Sequence, residues 1–271
     1  MKLGIVYFSG TGNTAWVAER LAEQLRARGD AATVVSCEET PATQLDVAAW
    51  DVLGIAFPVH SSFAAPVFRD YLEQLPPADK PLFAVTTAGY WAGDTAWYAA
   101  QPLARRGYRL FLCANVLMPN NFFIPKMDVL PVTPPARVPR FLERAARRIA
   151  QLAKRIHTQE HHIEGTGIIG RMGGVLQRWG YANFESRMLA RFSADERCIG
   201  CGWCVRHCPT QSWELRDGQA HFQDRGAVGD CFFCMRCYSF CPVQAIQATA
   251  KTQRTPKYRR YQGPEGKRYP K

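Results

Sequence analysis

Eight of the ten cysteines fall between residues 198 and 241, in two copies of one pattern. The first copy is Cys198, Cys201, Cys204 and Cys208, with Pro209 after the last. The second is Cys231, Cys234, Cys237 and Cys241, followed by Pro242. Three cysteines at three-residue spacing wrap a turn around one face of a cubane iron–sulfur cluster, and the fourth, with its proline, projects to the other cluster. The spacing therefore assigns Cys198, Cys201, Cys204 and Cys241 to one 4Fe–4S cluster, and Cys231, Cys234, Cys237 and Cys208 to a second. Thiolate sulfur is the soft ligand that such clusters require. A zinc ribbon needs four cysteines per ion, usually in two CxxC pairs, and does not call for two complete copies with both prolines. Clusters held in this way would supply electron-transfer chemistry. Trp203, Phe232, Phe233, Tyr238 and Phe240 interleave with the ligands, and as packing they keep water from the clusters and so tune their potentials. Arg206 and His207 read as surface residues.

A second polar group follows the apolar run Leu3–Phe8. It is Ser9-Gly10-Thr11-Gly12-Asn13-Thr14, placed just before a helical pattern. Backbone N–H groups at a helix N-terminus attract an anion. The glycines let the backbone approach it, and the hydroxyls of Ser9, Thr11 and Thr14 add donors. This set has no lysine, whereas a triphosphate loop would carry Gly-Lys-Ser/Thr. It suits a monophosphate, and FMN is the cofactor it favours. Gly10-x-Gly12-x-x-Ala15 also fits the dinucleotide fingerprint, with Glu38 as its ribose acid, but more weakly.

The elements that must hold these groups are legible from periodicity. Leu3–Phe8, Ala32–Val35, Val52–Phe57, Leu82–Val85 and Arg109–Leu117 read as five strands, and continuous apolar runs suit strands covered on both faces. Thr14–Arg28, Val67–Leu75 and Thr95–Arg106 read as helices between them, with Gly29 as the stop of the first. Strand–helix alternation predicts a parallel α/β sheet. Pro131, Pro134 and Pro135 break the pattern, and Val138–Ile156 then predicts a long amphipathic helix. The expected organisation is an α/β domain over 1–156 and a connector over 157–197 with a short helix through Val175–Leu189. The cysteine module over 198–250 and a basic tail over 251–271 follow.

The SGTGNT loop after Tyr7-Phe8 resembles the flavodoxin family, and the cysteine module resembles bacterial two-cluster ferredoxins. The whole chain is similar to the flavodoxin–ferredoxin fusions known as EFR-type ferredoxins. Met118-Pro119-Asn120-Asn121 and Lys257-Tyr258-Arg259-Arg260-Tyr261 also look like that family. The resemblance implies a flavodoxin-like, doubly wound, five-stranded parallel sheet followed by a small α+β ferredoxin domain. It further implies FMN, two 4Fe–4S clusters and electron transfer. In such folds the flavin lies at the carboxyl ends of the strands. The resemblance carries this onto two loops, Pro58-Val59-His60-Ser61-Ser62-Phe63 and Thr87-Ala88-Gly89-Tyr90-Trp91. Tyr90 or Trp91 would stack on the ring, and the Thr87–Gly89 backbone would meet its polar edge. His60 stands where these fusions would carry a tyrosine. Either it titrates near neutrality and tunes the flavin, or it is an ordinary loop residue.

Composition closes off other classes. With 47% hydrophobic and 21% charged residues, the 271-residue chain is not disordered. Its longest apolar stretches are strand-sized, short of the roughly 20 residues a bilayer span needs. The start MKLGIVYF predicts no signal peptide, and a cytoplasmic setting fits reduced cysteines. The net charge of +11 is unevenly placed. Residues 1–130 are net −2, 131–197 net +6, 198–250 neutral and 251–271 net +7. Cluster thiolates and a phosphate would bring the loaded chain to about +5. The excess flanks the clusters, so the expected partner is an acidic redox protein such as a ferredoxin, a flavodoxin or a reductase, reached by electrostatic steering. An anionic surface is the other docking option, and nucleic acid is not expected. A flavin-dependent reductase of a quinone-like molecule is the alternative activity. Last comes a nucleic-acid or membrane-binding protein with structural clusters. His157, His161 and His162 read as a solvated cluster, and Cys37 and Cys113 as ordinary small hydrophobes.

Overall fold

The uninterrupted apolar runs become the centre of a parallel sheet. Leu3, Ile5 and Val6, and likewise Leu53, Ile55 and Phe57, are fully buried, because strands covered on both faces have no solvent side to mark with polar residues. The computed structural model describes residues 1–123, 130–185, 192–223, 226–227, 229–248 and 258–270. These form two compact units. The first takes Met1–Ser9, Asn13–Met118 and Arg140–Ala182, and the second Gly10–Gly12, Pro119–Pro139 and Asn183–Lys271.

In the first unit the strands are β1 (Lys2–Tyr7), β2 (Ala31–Ser36), β3 (Val52–Pro58), β4 (Pro81–Ala88), β5 (Arg109–Leu117) and β6 (His162–Ile163). They lie in the order β2-β1-β3-β4-β5-β6, each pair parallel. This is the doubly wound α/β, flavodoxin-like order. Its direction reverses between β1 and β3, so the loops after those strands flank a crevice suited to a ligand. Helices α1 (Asn13–Arg26), α2 (Pro66–Glu73), α3 (Thr95–Ala104) and α4 (Val138–His157) cover the sheet. α1 buries Val17, Ala18, Leu21, Ala22 and Leu25, and Gly29 ends the turn after it at φ +88°. α4 buries Ala145, Ile149, Leu152, Ala153 and Ile156, each large aliphatic contributing roughly 1.5–3 kcal/mol.

The five-stranded expectation is corrected to six. β6 has two residues, too few to show a period. It pairs Leu112 with His162 and Cys113 with Ile163. Its anchor is Glu164, which accepts from Asn115 N at 3.0 Å and from the Arg148 guanidinium, and bonds His162 Nε2 at 2.7 Å. Burial pushes the Glu164 carboxyl up, but these partners together outweigh it and hold the group below its ordinary value. The helix expected through Val175–Leu189 begins earlier, as α5 (Ile168–Gly180), and continues as a π-turn over Tyr181–Glu185. Positions 186–189 of that expectation lie outside the described residues. β6 and α5, within the expected connector, belong to the first unit.

The second unit is small and mixed. β7 (Ser193–Ala194) pairs antiparallel with β10 (Ile246–Gln247), and β8 (Trp213–Arg216) with β9 (Gln219–Phe222). The β8–β9 hairpin turns through Asp217 and Gly218, both at positive φ, the Asp-Gly chemistry of a tight hairpin. Short helices α6 (Trp203–Arg206) and α7 (Arg236–Phe240) follow the cysteine loops. Its core is aromatic, with Phe123, Phe192, Trp213, Phe233, Tyr238, Tyr258 and Tyr261 all buried.

Candidate redox centres

Each cysteine copy bends through the same backbone. Gly200 and Gly202 have φ +65° and +68°, and the matching positions of the second copy, Phe233 and Met235, have φ +60° and +64°. Gln211 and Gln244 repeat the match after the two prolines, at +53° and +55°. Left-handed backbone at a non-glycine residue costs on the order of 1–3 kcal/mol. Phe233 and Met235 bear that cost and are 2% and 1% exposed, so core packing holds the strained loop. The result is two cavities. One is lined by Cys198, Cys201, Cys204 and Cys241. The other is lined by Cys208, Cys231, Cys234 and Cys237, with Cys204 also in its lining. The fourth cysteine of each copy therefore reaches the cavity of the other copy.

The residues present fit a cubane cluster in both places. The linings are mostly soft sulfur and apolar side chains, with His207, Thr210 and Arg236 added at the second. Ser212 N donates to Cys208 Sγ and Ala245 N to Cys241 Sγ, each at 3.2 Å. Such N–H···S bonds favour the ionised thiolate. Burial pushes the Cys204 thiol up to about 12, with Cys241, Cys201 and Cys198 adding to it. Burial raises Cys237 well above its ordinary value, with Cys234, Cys231 and Cys208 adding to it. The charge neighbours named for Cys204 are its own quartet, and those of Cys237 are its own quartet together with Cys204. Four thiolates can share such a space only around cations.

The first loop is split between the units. In the first, Ser9, Asn13 and Thr14 are buried, and Thr14 Oγ1 lies 2.8 Å from Thr87 Oγ1, joining the start of α1 to the end of β4. In the second, Arg236 Nε donates to the Gly10 carbonyl at 3.0 Å, and Asn121 Nδ2 donates to Thr11 Oγ1. A Cβ on Gly10 would sit 2.6 Å from the Cys234 carbonyl oxygen. Gly12, at φ +96°, lies against Tyr269 and Pro264. The glycines thus have a second reason to be small, since protein backbone and side chains approach them as closely as an anion would.

The other two loops meet within the first unit. Val59 N donates to the Thr87 carbonyl at 2.9 Å, and His60 and Phe63 exchange backbone hydrogen bonds at 2.9 and 2.8 Å. Ser61 and Ser62 make the turn at φ +47° and +61°. Pro58 ends β3 and Ala88 ends β4, with Gly89 leading into Tyr90 and Trp91. Tyr90 is 53% exposed and Trp91 39%. The Trp91 ring lies so close to Gly93 and to Gly173 of α5 that a Cβ on either would fall 2.4 or 2.6 Å from it. Of the two aromatic candidates, Tyr90 is the more exposed. Burial lowers the His60 pKa to about 4, so its imidazole is neutral at pH 7. The expectation that it titrates near neutrality is corrected on that ground.

Comparison with known proteins matches two family models to the chain. Residues 4–113 match the family model of the flavodoxin domain, and residues 197–246 that of the 4Fe-4S dicluster domain. The chain is a flavodoxin–ferredoxin fusion. Its domains are those of electron transfer by flavin and iron–sulfur centres. Solved structures similar to the fusion include a flavodoxin from the domain Archaea, at 17% identity over 57% of this chain and 99% of that one, TM-score 0.37. A flavodoxin of Streptococcus pneumoniae TIGR4 has 17% identity over 59% and 99%, TM-score 0.43. The two-electron reduced flavodoxin of Megasphaera elsdenii has 23% identity over 54% and 98%, TM-score 0.39. No curated protein matches the fusion. Among its described residues, no helix is long and apolar enough to cross a membrane.

Three features of the fusion escape sequence reasoning. Arg178 of α5, 9% exposed, donates to Asp94 Oδ1 and Oδ2 at 2.7 and 2.9 Å and to the Ser62 carbonyl at 3.2 Å. Ser62 Oγ also donates to Gln177 Oε1 at 2.7 Å. An arginine on the glycine-lined side of an otherwise apolar helix pattern was the available signal. Asn120, buried at 6%, donates from Nδ2 to the carbonyls of Phe122, Leu130 and Pro131 and so closes the loop that presents Asn121. The tail is the third. Tyr258 and Tyr261 are 2% and 3% exposed, and Arg260 donates to the carbonyls of Tyr238, Gln244 and Ile246. Residues 249–257, Lys257 included, lie outside the described residues. The three histidines do not converge on one another. His157 Nδ1 bonds Asp30 Oδ2 at 2.8 Å, while His162 bonds Glu164. Burial first, then Glu164, pushes the Cys113 thiol up to about 12, in keeping with an inert small hydrophobe.

Proposed function

We propose that the fusion transfers electrons between one FMN and two 4Fe–4S clusters in the same chain, and exchanges them with a redox partner protein at the Cys198–Cys201–Cys204–Cys241 quartet. FMN exchanges two electrons in single steps and each cluster exchanges one, so the chain would couple two-electron to one-electron carriers. The observation that carries the reading is the unequal depth of the two quartets. Cys201 is the one exposed member of the eight cysteines, beside Ile199 at 64% and Leu215 at 45% exposure. The other quartet has no exposed member, since Cys208, Cys231, Cys234 and Cys237 are all half-buried, and its Cys234 loop lies against Gly10.

The flavin residues are proposed on the same footing. The hydroxyls of Ser9, Thr11 and Thr14, with the backbone of Gly10, Gly12 and Asn13, would hold the phosphate at the start of α1. The Pro58–Ser61 turn with Phe63 would border one side of the ring. Thr87, Ala88 and Gly89 would meet its polar edge, and Tyr90 would stack. Arg197, Arg206 and Arg216 are exposed in the segment that carries the outward quartet. Arg197 pairs with Asp195 and Arg216 with Glu214, which leaves Arg206 the most available cation for an acidic partner.

Anaerobic purification with cofactor counting tests the reading. The expected content is about eight iron, eight sulfide and one FMN per chain, that of two cubanes. Zinc in place of iron, or a chain without flavin, would sink it. Exposure of Tyr90 also supports a second reading, direct reduction of a quinone-like molecule at the flavin. Turnover with a quinone in the absence of any protein acceptor would favour that activity.

A further inference from the structure

α5 wears its apolar face outward. Ile168, Ile169, Met172, Val175 and Leu176 are 78%, 83%, 69%, 62% and 66% exposed, and Trp179 at the end of the stripe is 56% exposed. Their spacing places them on one side of the helix. The opposite side is made of Gly170, Gly173, Gly174 and Arg178. A Cβ on Gly170 would fall 1.9 Å from the Gly165 carbonyl oxygen. One on Gly173 would meet the Trp91 ring at 2.6 Å, and one on Gly174 would meet Asp94 Oδ1 at 1.9 Å. The inner face therefore admits no large side chain, and the Arg178–Asp94 pair fixes the helix about its axis. Rotation that would bury the aliphatic face is blocked, so folding of a single chain leaves it in water.

We infer that this face is the core of a two-fold interface between two copies of the chain. The six side chains expose on the order of 800 Å², above the few hundred Å² of the largest apolar patch on a typical monomer. That area is comparable to one partner's share of a standard protein–protein interface, so α5 can form the centre of a two-copy contact. A self-complementary patch of this kind closes by two-fold symmetry. The chemistry also selects the occupant. α5 contains two charged residues, Arg171 and Arg178, and Arg178 is consumed by Asp94. Arg171 lies with its guanidinium 4.7 Å from the Trp97 ring. A helix that lies on a bilayer carries a rim of lysines and arginines, which this one lacks. An acidic protein partner would likewise find little charge here. Aliphatic, Met and Trp side chains with a charge-poor centre are the composition of a homodimer core.

Sedimentation equilibrium of the full-length, anaerobically loaded protein tests this. The expected mass is twice the 30.5 kDa of the chain, with a concentration-dependent monomer at high dilution. Ile169→Glu and Leu176→Glu, at solvent-facing positions, should each weaken self-association at least 100-fold while FMN and iron contents stay as in the wild type. Hydrogen exchange on the unmodified protein is the second measurement, and 168–179 should gain protection as concentration rises. A wild-type monomer throughout, a dimer with no concentration-dependent protection of 168–179, or flotation with phosphatidylcholine–phosphatidylglycerol vesicles that these substitutions abolish would each overturn the inference.

Discussion

Arg178 grips both carboxylate oxygens of Asp94, at 2.7 and 2.9 Å, and the Ser62 carbonyl at 3.2 Å, with its guanidinium 4.0 Å from the Tyr98 ring. One side chain from α5 thereby ties the loop after β3 to the segment that opens α3. The pair is nearly dry, with side chains 10% and 3% exposed. Removing one partner strands a buried charge, which costs roughly 3–5 kcal/mol. Arg178→Met is expected to lose stability of that order in urea unfolding of the flavin-free protein, and Asp94→Asn somewhat less. Arg178→Lys keeps the charge but cannot make the fork. Its expected effect is weaker FMN binding, about tenfold or 1.4 kcal/mol, read by fluorescence titration. Unchanged affinity in both arginine variants would remove Arg178 from the flavin site's support.

Cys201→Ser is expected to halve the iron content, leave FMN in place and slow reduction of an external protein acceptor at least tenfold. Cys37→Ser, outside both quartets, is the control and should change none of these. Iron that stays at the wild-type level in Cys201→Ser would contradict the assigned quartet.

His60 has its pKa lowered to about 4 by burial, so it stays uncharged from pH 5.5 to 8. The flavin midpoint potential should show no inflection near the ordinary histidine value of about 6.5, and His60→Tyr should leave its pH slope unchanged. Because folding disfavours the imidazolium, stability drawn from His60 is present above about pH 6.5 and falls as pH drops towards 4. An imidazole titration near pH 6.5 in the holoprotein, followed by NMR, would show the burial to be functionally irrelevant.

Glu164 is held below its ordinary carboxyl value by His162, Asn115 and Arg148 against the opposing effect of burial. Its contribution is complete above the unfolded value of 4.5 and is lost as pH falls through the lower, folded value. Glu164→Gln should therefore flatten the acid limb of the stability curve of the first unit, measured by denaturant midpoint from pH 6 to 3. The gap between variant and wild type should shrink as pH falls.

Deleting residues 251–271 would remove Tyr258 and Tyr261 from the aromatic core, so charge substitutions are the cleaner test of steering. Arg260, stacked 4.1 Å over Tyr238 and bonded to three carbonyls, is structural. Arg260→Gln should cost about 2–3 kcal/mol in stability, as for hydrogen bonds to charged groups. Lys267→Gln, largely exposed, should leave stability alone and lower the salt dependence of partner reduction. Equal effects of the two on salt dependence would contradict this division.

The cluster ligands and the strands were legible in sequence for different reasons. Cluster ligation needs eight thiols at set spacing, and the spacing is local, so Cys198 to Cys241 name their own chemistry. The exchange of the fourth ligand follows from it as an expectation, and Cys241 and Cys208 each line a cavity with the other copy's cysteines. Val52–Phe57 declares a buried strand because every one of its side chains is apolar. β6 does not, since two residues carry no period and what holds them is Glu164, 49 positions from Asn115. The aromatic-basic ending read as a free basic tail because Arg260 finds its carbonyls 14 to 22 positions away and Tyr258 packs against the distant Phe123.

The amino-acid sequence alone determined the cofactor classes and the order of the two domains, because thiolate spacing, hydroxyl-rich turns and apolar runs act over a few residues. Tertiary structure alone decided which aromatic beside β4 is the more exposed, that burial lowers the His60 pKa, and that Arg178 faces inward while Ile169 and Leu176 face water. Those outcomes depend on what lies within a few ångströms in space. The glycines at 170, 173 and 174 exclude side chains only because Gly165, Trp91 and Asp94 are folded against them.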